Sequence, residues 1–271
     1  MPVVRESHVV YTVQPGDTLY LVAIRLGSSV EAIRRANAVY PPMTDPDRIE
    51  PGWLLVVPTP AIRPPRVIHV VAPGDTLYGI ARRYDAHVDL LAGVNRIAYP
   101  DWLAVSRLLW VPAFVHEIAQ GDTLWRIARH YRISTHDIVA ANEGRPGFSP
   151  DLLYPGFRLL LPLPSTRNIA VTLPLPGDLV QNGDRVEGFA RAFEAHVLVQ
   201  LRDDNGETVS RERAITAWAG APAYAYFTGT LVFDRQPTAR GGFLWVYTRS
   251  PRDGRITDLT EVRIELGQRQ D

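Results

Sequence analysis

The chain contains no cysteine and no lysine; all 29 of its basic residues are arginine. Without cysteine there can be no disulfide, no thiolate nucleophile and no zinc–thiolate site, which excludes cysteine peptidases and Cys-dependent transpeptidases. Without lysine, Schiff-base chemistry is excluded as well. Neither sign of charge is in excess, since 29 acidic residues bring the formal net charge to zero. Such a chain lacks the broad field that would draw in nucleic acid or an anionic membrane. No apolar run approaches the roughly 20 residues of a membrane span. Residues 1–12 carry neither the basic segment nor the apolar core, about 7–15 residues long, of a secretory leader. Histidine is scarce in the second half, where His196 is the only one beyond residue 168. A zinc hydrolase needs several such ligands, and a Ser–His–Asp arrangement would have to use His196, which sits in a strand pattern. Paired carboxylates such as Glu187 and Glu194 fall on outward positions of strand-like runs, without the cleft that glycoside hydrolysis needs. The expectation is a non-catalytic protein with no cofactor and no metal site.

What the chain does have is repetition. Pro15-Gly16-Asp17-Thr18-Leu19 returns as Pro73-Gly74-Asp75-Thr76-Leu77 and as Gln120-Gly121-Asp122-Thr123-Leu124, with the glycines 58 and then 47 residues apart. Spacings of this size indicate tandem structural units. A short β-type run precedes each copy (Val9–Val13, Val67–Val71, Phe114–Ile118). An amphipathic helix follows, with apolar residues at i, i+3, i+4 and i+7: Leu19, Val22, Ala23, Leu26; Leu77, Ile80, Ala81, Tyr84; Leu124, Ile127, Ala128, Tyr131. Glycine lets the chain turn off the strand, and Asp17, Asp75 and Asp122 are the expected N-caps. Second helices are predicted over Ser29–Asn37, Val88–Asn95 and Ser134–Asn142, and second strands over Trp53–Pro58, Arg107–Pro112 and Phe157–Pro162. Modules one and three place Pro51-Gly52 and Pro155-Gly156 before that second strand. Module two has Val105-Ser106, which is expected to alter the turn. Six histidines lie in this region without ligand spacing; His69 and His116 hold equivalent strand positions, a structural repeat. Thr59–Arg66 reads as a semi-rigid polyproline spacer, whereas Ala113 alone separates modules two and three.

From Asn168 the hydrophobic period becomes two. Strand-like runs cover Ile169–Leu173, Arg185–Phe193, His196–Arg202, Thr208–Ile215, Tyr224–Phe233, Phe243–Thr248 and Leu259–Leu266, separated by turn signals such as Asp204-Asn205-Gly206. This is the pattern of a β-sandwich, with Val171, Phe189, Val197, Val199, Phe233 and Val246 expected on its inner face.

Strand, helix, helix, strand with Gly-Asp-Thr at the first turn resembles the lysin motif, or LysM, module. The run Val186 to Glu194, the Asp-Asn-Gly hairpin and Phe243–Ser250 before Asp253-Gly254 resemble the immunoglobulin-like domain of bacterial spore germination proteins. Together they imply a multidomain α+β chain: three βααβ modules at 8–58, 67–112 and 113–162, then an all-β immunoglobulin-like sandwich at 168–266. The LysM resemblance implies binding of N-acetylglucosamine-containing glycan, peptidoglycan or chitin, in a shallow groove between the first turn and the loop before the second strand. One wall would be Gly16, Asp17, Thr18 and Leu19, with Gly74, Asp75, Thr76 and Leu77, and Gly121, Asp122, Thr123 and Leu124, in the other modules. The opposite wall would be Arg48, Ile49 and Glu50 in module one, Trp102, Leu103 and Ala104 in module two, and Leu152, Leu153 and Tyr154 in module three. Backbone groups would bond the acetamide while leucine and isoleucine receive the methyl and the sugar face. Tyr40, Tyr99, Trp102, Phe148 and Tyr154 lie in the second-wall loops, where a ring either stacks on sugar or packs on its own module. Trp53 and Phe157 are expected in the core. Module two, lacking Pro-Gly, is expected to bind more weakly than module three.

The sandwich resemblance implies a sporulation setting and names no ligand. The expected role is a wall adaptor on peptidoglycan of the spore cortex or cell wall, with spore coat or cortex proteins as further partner candidates and no nucleic acid or membrane insertion. The expected route runs from mother-cell cytoplasm to the cortex and coat surface, or to the cell wall had a leader been removed. The alternatives are an assembly protein whose modules bind protein, and a peptidoglycan hydrolase.

Overall fold

The computed structural model describes residues 3–38 and 48–267. Three successive βααβ units are followed by an all-β domain. The first unit comprises β1 (His8–Thr12), α1 (Leu19–Leu26), α2 (Val30–Ala36) and β2 (Leu54–Pro58). The second comprises β3 (Val67–Val70), α3 (Leu77–Arg83), α4 (Val88–Val94) and β4 (Leu108–Val111). The third comprises β5 (Ala113–Glu117), α5 (Leu124–Tyr131), α6 (Thr135–Asn142) and β6 (Arg158–Pro162). The periodic apolar residues of each first helix are its buried ones: Leu19, Val22 and Ala23; Leu77, Ile80 and Ala81; Leu124, Ile127, Ala128 and Tyr131.

By its internal contacts the chain divides into two compact units, one running to Tyr84 and resuming over Tyr99–Pro162, the other comprising Asp85–Ala98 and the residues from Leu163. In the first unit the modules are not independent beads. Strand β1 pairs antiparallel with β2 and, on its other edge, parallel with β3, with His8 opposite Val67 and Val10 opposite His69. The result is one four-stranded sheet in the order β2-β1-β3-β4. The proline spacer is tied to this junction: the Ser7 hydroxyl donates to Ile62 O at 2.8 Å and accepts from Arg66 N–H at 3.0 Å, while Thr59 N–H donates to Ser7 O at 2.8 Å. Val4 N–H donates to Val115 O at 2.9 Å, so the lead-in to module one borders β5.

A buried polar bracket closes modules one and three and joins them. Asn37 and Asn142, each fully buried at the end of its second helix, donate to a helix carbonyl and to a β2 or β6 carbonyl, and accept from that strand's N–H. The Arg145 guanidinium donates to the side-chain oxygens of both asparagines and to the carbonyls of Ala36 and Arg158, and lies 4.1 Å over the Phe157 ring. Burial lowers its pKa to about 9.

In the second unit two sheets face each other: five strands in the order β11-β10-β13-β14-β8 and three in the order β12-β9-β7. They comprise β7 (Ile169–Leu173), β8 (Leu179–Val180), β9 (Arg185–Ala190), β10 (His196–Asp203), β11 (Arg213–Thr216), β12 (Ala225–Thr230), β13 (Gly241–Arg249) and β14 (Ile256–Leu266). The core holds Val171, Val197, Val199, Phe227, Leu244 and Val246, with Phe233 packed against it. Phe189 does not join them. On β9 the buried residues are Val186, Gly188 and Ala190, because a Cβ at 188 would lie 2.6 Å from the Phe227 ring that fills the space. Phe189 turns outward instead, edge-on to Tyr226 at 5.8 Å. The run expected over Thr208–Ile215 is a strand only at Arg213–Thr216. Before it, Val209 and Ser210 are spent on Leu201, whose N–H donates to the Ser210 hydroxyl at 2.7 Å. Helix α4 belongs to this unit, where Asp89 pairs with Arg167 at 2.6 Å and Gly93 lies against the Tyr224 ring.

Candidate functional site

The repeated motif builds the same corner three times. Gly16, Gly74 and Gly121 take φ values of +84°, +89° and +81°, and the following aspartate N–H closes the turn onto Gln14, Ala72 or Ala119. The N-cap is the threonine, not the aspartate. Thr18, Thr76 and Thr123 have extended backbone, and their hydroxyls accept from Leu21, Gly79 and Arg126 N–H. The aspartates reach backward: Asp17, Asp75 and Asp122 accept from the N–H groups of Gln14, Ala72 and Ala119 at 2.8–2.9 Å. Adjacent Asp and Thr are both good caps, and the side chain nearer the strand locks the turn.

Behind each aspartate stands a strand residue six positions earlier. His69 and His116 place Nε2 at 3.0 and 3.1 Å from Asp75 and Asp122, and Nδ1 at 3.0 Å from the hydroxyls of Tyr84 and Tyr131. A carboxylate can only accept, so Nε2 carries the proton and Nδ1 accepts from tyrosine. Burial lowers the pKa of His116, against the pull of Asp122. Burial alone would raise that of Asp75, but hydrogen bonds from His69 and Ala72 outweigh it and hold the carboxyl below its usual range. These histidines are structural, as their equivalent positions imply.

The opposite wall is fixed by two backbone bonds to the residue just before the corner. Val13 N–H donates to Trp53 O and Gly52 N–H to Val13 O; Val71 and Ile118 are held likewise by residues 106–107 and 156–157. The turn that makes this possible is closed by Trp53, Arg107 and Phe157 N–H onto Glu50, Ala104 and Tyr154 O. It needs positive φ at its third residue, and Gly52 and Gly156 supply it at +91° and +87°. Module two keeps the same turn: Ser106 adopts φ +66° and makes the same hydrogen bond to Val71 O at 2.8 Å. The expected alteration does not occur; the non-glycine residue absorbs the strain.

Both walls thus flank one residue in each module. Leu19, Leu77 and Leu124 are buried beneath the corner, whereas Gly16, Thr18 and their equivalents are exposed. On the second wall Trp102 is 81% exposed, Tyr99 and Leu152 are exposed, and Ile49, Leu103, Leu153 and Tyr154 are partly so. Arg48 pairs with Glu50 at 2.7 Å. Phe148 stacks on the buried Phe157 of its own module, and Trp53 packs against the core. Tyr40 lies outside the described residues. One exposed set escaped the sequence reading: Tyr20, Tyr78 and Trp125, each next to the wall leucine. Among the described residues no group of three or more potential ligands is assembled for a metal, and no helix is long and apolar enough to cross a membrane.

Comparison with known families resolves the repeats. The LysM domain model matches residues 11–58, 69–112 and 116–162. The chain belongs to the LysM family. Its three LysM modules precede a match over 168–255 to the immunoglobulin-like domain of bacterial spore germination. Over 95 residues the chain is 37% identical to a Bacillus subtilis (strain 168) protein named "Putative sporulation-specific glycosylase YdhD", covering 35% of this chain and 22% of that protein. Among solved structures it is similar to the spore cortex-lytic enzyme SleL of Bacillus cereus, at 31% identity and TM-score 0.31, over 39% of this chain and 23% of that one. SleL of Bacillus megaterium QM B1551 matches at 23% identity and TM-score 0.21, over 43% and 26%. The chain therefore spans about a quarter or less of the length of these relatives. LysM modules as a class bind peptidoglycan-type glycans.

Proposed function

We propose that the chain is a non-catalytic binder of N-acetylglucosamine-containing glycan, peptidoglycan of the spore cortex or cell wall, with the immunoglobulin-like domain as an adaptor surface. The observation that carries this reading is the threefold corner: an exposed glycine and threonine facing a second wall, which is clamped by two backbone bonds to the same residue in every LysM module. Exposed backbone groups beside partly exposed leucine and isoleucine suit an acetamido sugar, whose amide needs hydrogen bonds and whose methyl needs apolar contact. The spore-germination domain and the likeness to YdhD support a sporulation setting, and placement at the cortex and coat belongs to the same proposal.

The test is sedimentation with purified peptidoglycan against cellulose, together with titration by N-acetylglucosamine oligomers of increasing length. Peptidoglycan should retain the chain and cellulose should not. Affinity should rise with oligomer length, because linked sites on one polymer raise the effective concentration to about millimolar. Equal retention on cellulose, or release of reducing ends or free amines from the sacculi, would overturn it.

A further inference from the structure

We propose that the immunoglobulin-like domain carries a saccharide-stacking surface of its own, a row of three rings formed by Trp218, Tyr226 and Phe189 on the outer face of its three-stranded sheet. The choice of an N-acetylglucosamine strand as ligand rests on the glycan-binding reading; the surface itself lies outside the LysM modules. Phe189 and Tyr226 are direct cross-strand partners on β9 and β12, and their rings meet edge-on at 5.8 Å. The Trp218 ring meets Tyr226 in the same manner at 5.0 Å, and the Trp218 N–H donates to Tyr226 O at 3.0 Å. The core beneath is filled from the alternate positions, Gly188, Ala190, Ala225 and Phe227, and the residue before the indole, Ala217, is buried. The row is therefore additional to the core. Trp218 is 77% exposed, so it contributes little to the fold, yet its ring and its backbone are both held. A large ring fixed in place and left in water is prepared for a flat apolar partner.

The neighbouring residues indicate which partner. Two residues along the same face, about 7 Å at the rise of a strand, Thr228 and Glu187 form the next cross-strand pair. Arg185 pairs with Glu187 at 2.8 Å and donates to the Thr228 hydroxyl at 3.2 Å. The Tyr226 hydroxyl is hydrogen-bonded to Glu187 as well. This ion pair cancels its own charge, so the face suits a neutral ligand better than a polyanion. A carboxylate offers about four acceptor positions, which leaves Glu187 capacity for a hydroxyl or an acetamide N–H. Rings beside hydrogen-bonding groups match a pyranose, which has an apolar C–H face and a polar rim. Three rings, two of them already half-buried, fall well short of the roughly 800 Å² per partner that a stable protein interface needs. The area thus favours a sugar over a protein.

The test is an NMR titration of the full chain, labelled with nitrogen-15, with an N-acetylglucosamine pentamer. The chain has six tryptophans, and Trp218→Phe assigns the Trp218 indole N–H. That signal should shift and saturate, together with the amides of Glu187 and Thr228. Trp218→Ala should raise the apparent Kd read at those amides about two- to tenfold, the range for one aromatic contact, and Trp218→Tyr should restore most of it. Melting of both variants should match the parent, because the indole is mostly in water. If the amides of Thr18, Thr76 and Thr123 shift while Trp218 does not, the stacking surface alone is overturned. If Trp218 responds and those corner amides do not, the surface stands and the LysM reading falls. No response at either place overturns both. A Trp218 signal that follows protein dilution instead of pentamer would assign the row to contact between copies of the chain and overturn the proposal.

Discussion

Modules two and three hold their corner aspartate with a buried histidine backed by a tyrosine; module one does it without a histidine. There Tyr11 occupies the histidine position and donates directly to Asp17 at 2.6 Å, while Arg25 bonds the Tyr11 hydroxyl at 2.8 Å and pairs with Asp17 at 3.2 Å. Leu26 stands where the other modules have Tyr84 and Tyr131. The corner is the same in all three, with the same backbone bond to the aspartate. What must be preserved is therefore a donor aimed at that carboxylate, and its chemistry is interchangeable. The consequences differ, because a neutral imidazole enclosed in protein is coupled to pH and a half-exposed arginine is not.

The largest contrast should come from removing the aspartate. Asp122→Ala strands the His116 N–H, fully buried, and the Ala119 N–H, and should cost about 3 kcal/mol. Asp17→Ala should cost about 1–2 kcal/mol, since Arg25 can return to water and still bond Tyr11. Chemical denaturation of the full chain would measure both. Equal losses would mean the histidine adds nothing that the arginine does not.

Acid should qualify the comparison next, because module one has a buried histidine of its own in His8. Burial depresses His116, and burial with nearby Arg158 lowers His8 to about 3, where Nε2 accepts from Arg158 at 2.9 Å. A histidine with a folded pKa below its unfolded value contributes full stability above about pH 6.5 and loses it as pH falls toward the folded pKa. For His8 the loss at pH 5 should be on the order of 2 kcal/mol. Asp75, also depressed, contributes stability that is fully present above the ordinary carboxylate pKa and is lost only as pH falls below it. His8→Gln should flatten the pH dependence of the denaturation midpoint between pH 5 and 6.5. An unchanged slope would assign the acid sensitivity elsewhere.

The smallest effect concerns the second wall of module two. Ser106→Gly relieves a left-handed serine at φ +66° and should raise stability by up to about 1 kcal/mol, reduced by the greater freedom of glycine in the unfolded chain. A loss of stability would show that the serine side chain contributes more than its backbone costs.

Much of the architecture could be read from the residues, because helix and strand periods are local and the motif occurs three times. Three features could not. Asp17 and Thr18 are adjacent cap formers, and only the reach of the Asp17 side chain back to Gln14 N–H and Tyr11 separates their roles. Arg145, between Gly144 and Pro146-Gly147, reads as a surface loop residue; its burial depends on two asparagines more than a hundred residues apart in sequence. On β9 the eye follows Phe189 as the core residue, yet the space belongs to Phe227 from another strand, so glycine takes the inner place. The wall residues were placed by family likeness alone. Their role in binding still rests on that likeness and on the clamped corner.

Because β1 lies between β2 and β3, module two is not a removable part. Cutting the chain after the proline spacer would uncover the backbone of Val67, Ile68 and His69, now covered by His8, Val9 and Val10. That edge is short, mostly apolar and without arginine or carboxylate, the kind that recruits another strand from solution. An excised second module should therefore self-associate, and its avidity for an insoluble polymer would then report aggregation as much as recognition. The modules can be ranked fairly only by point substitutions within the intact sheet.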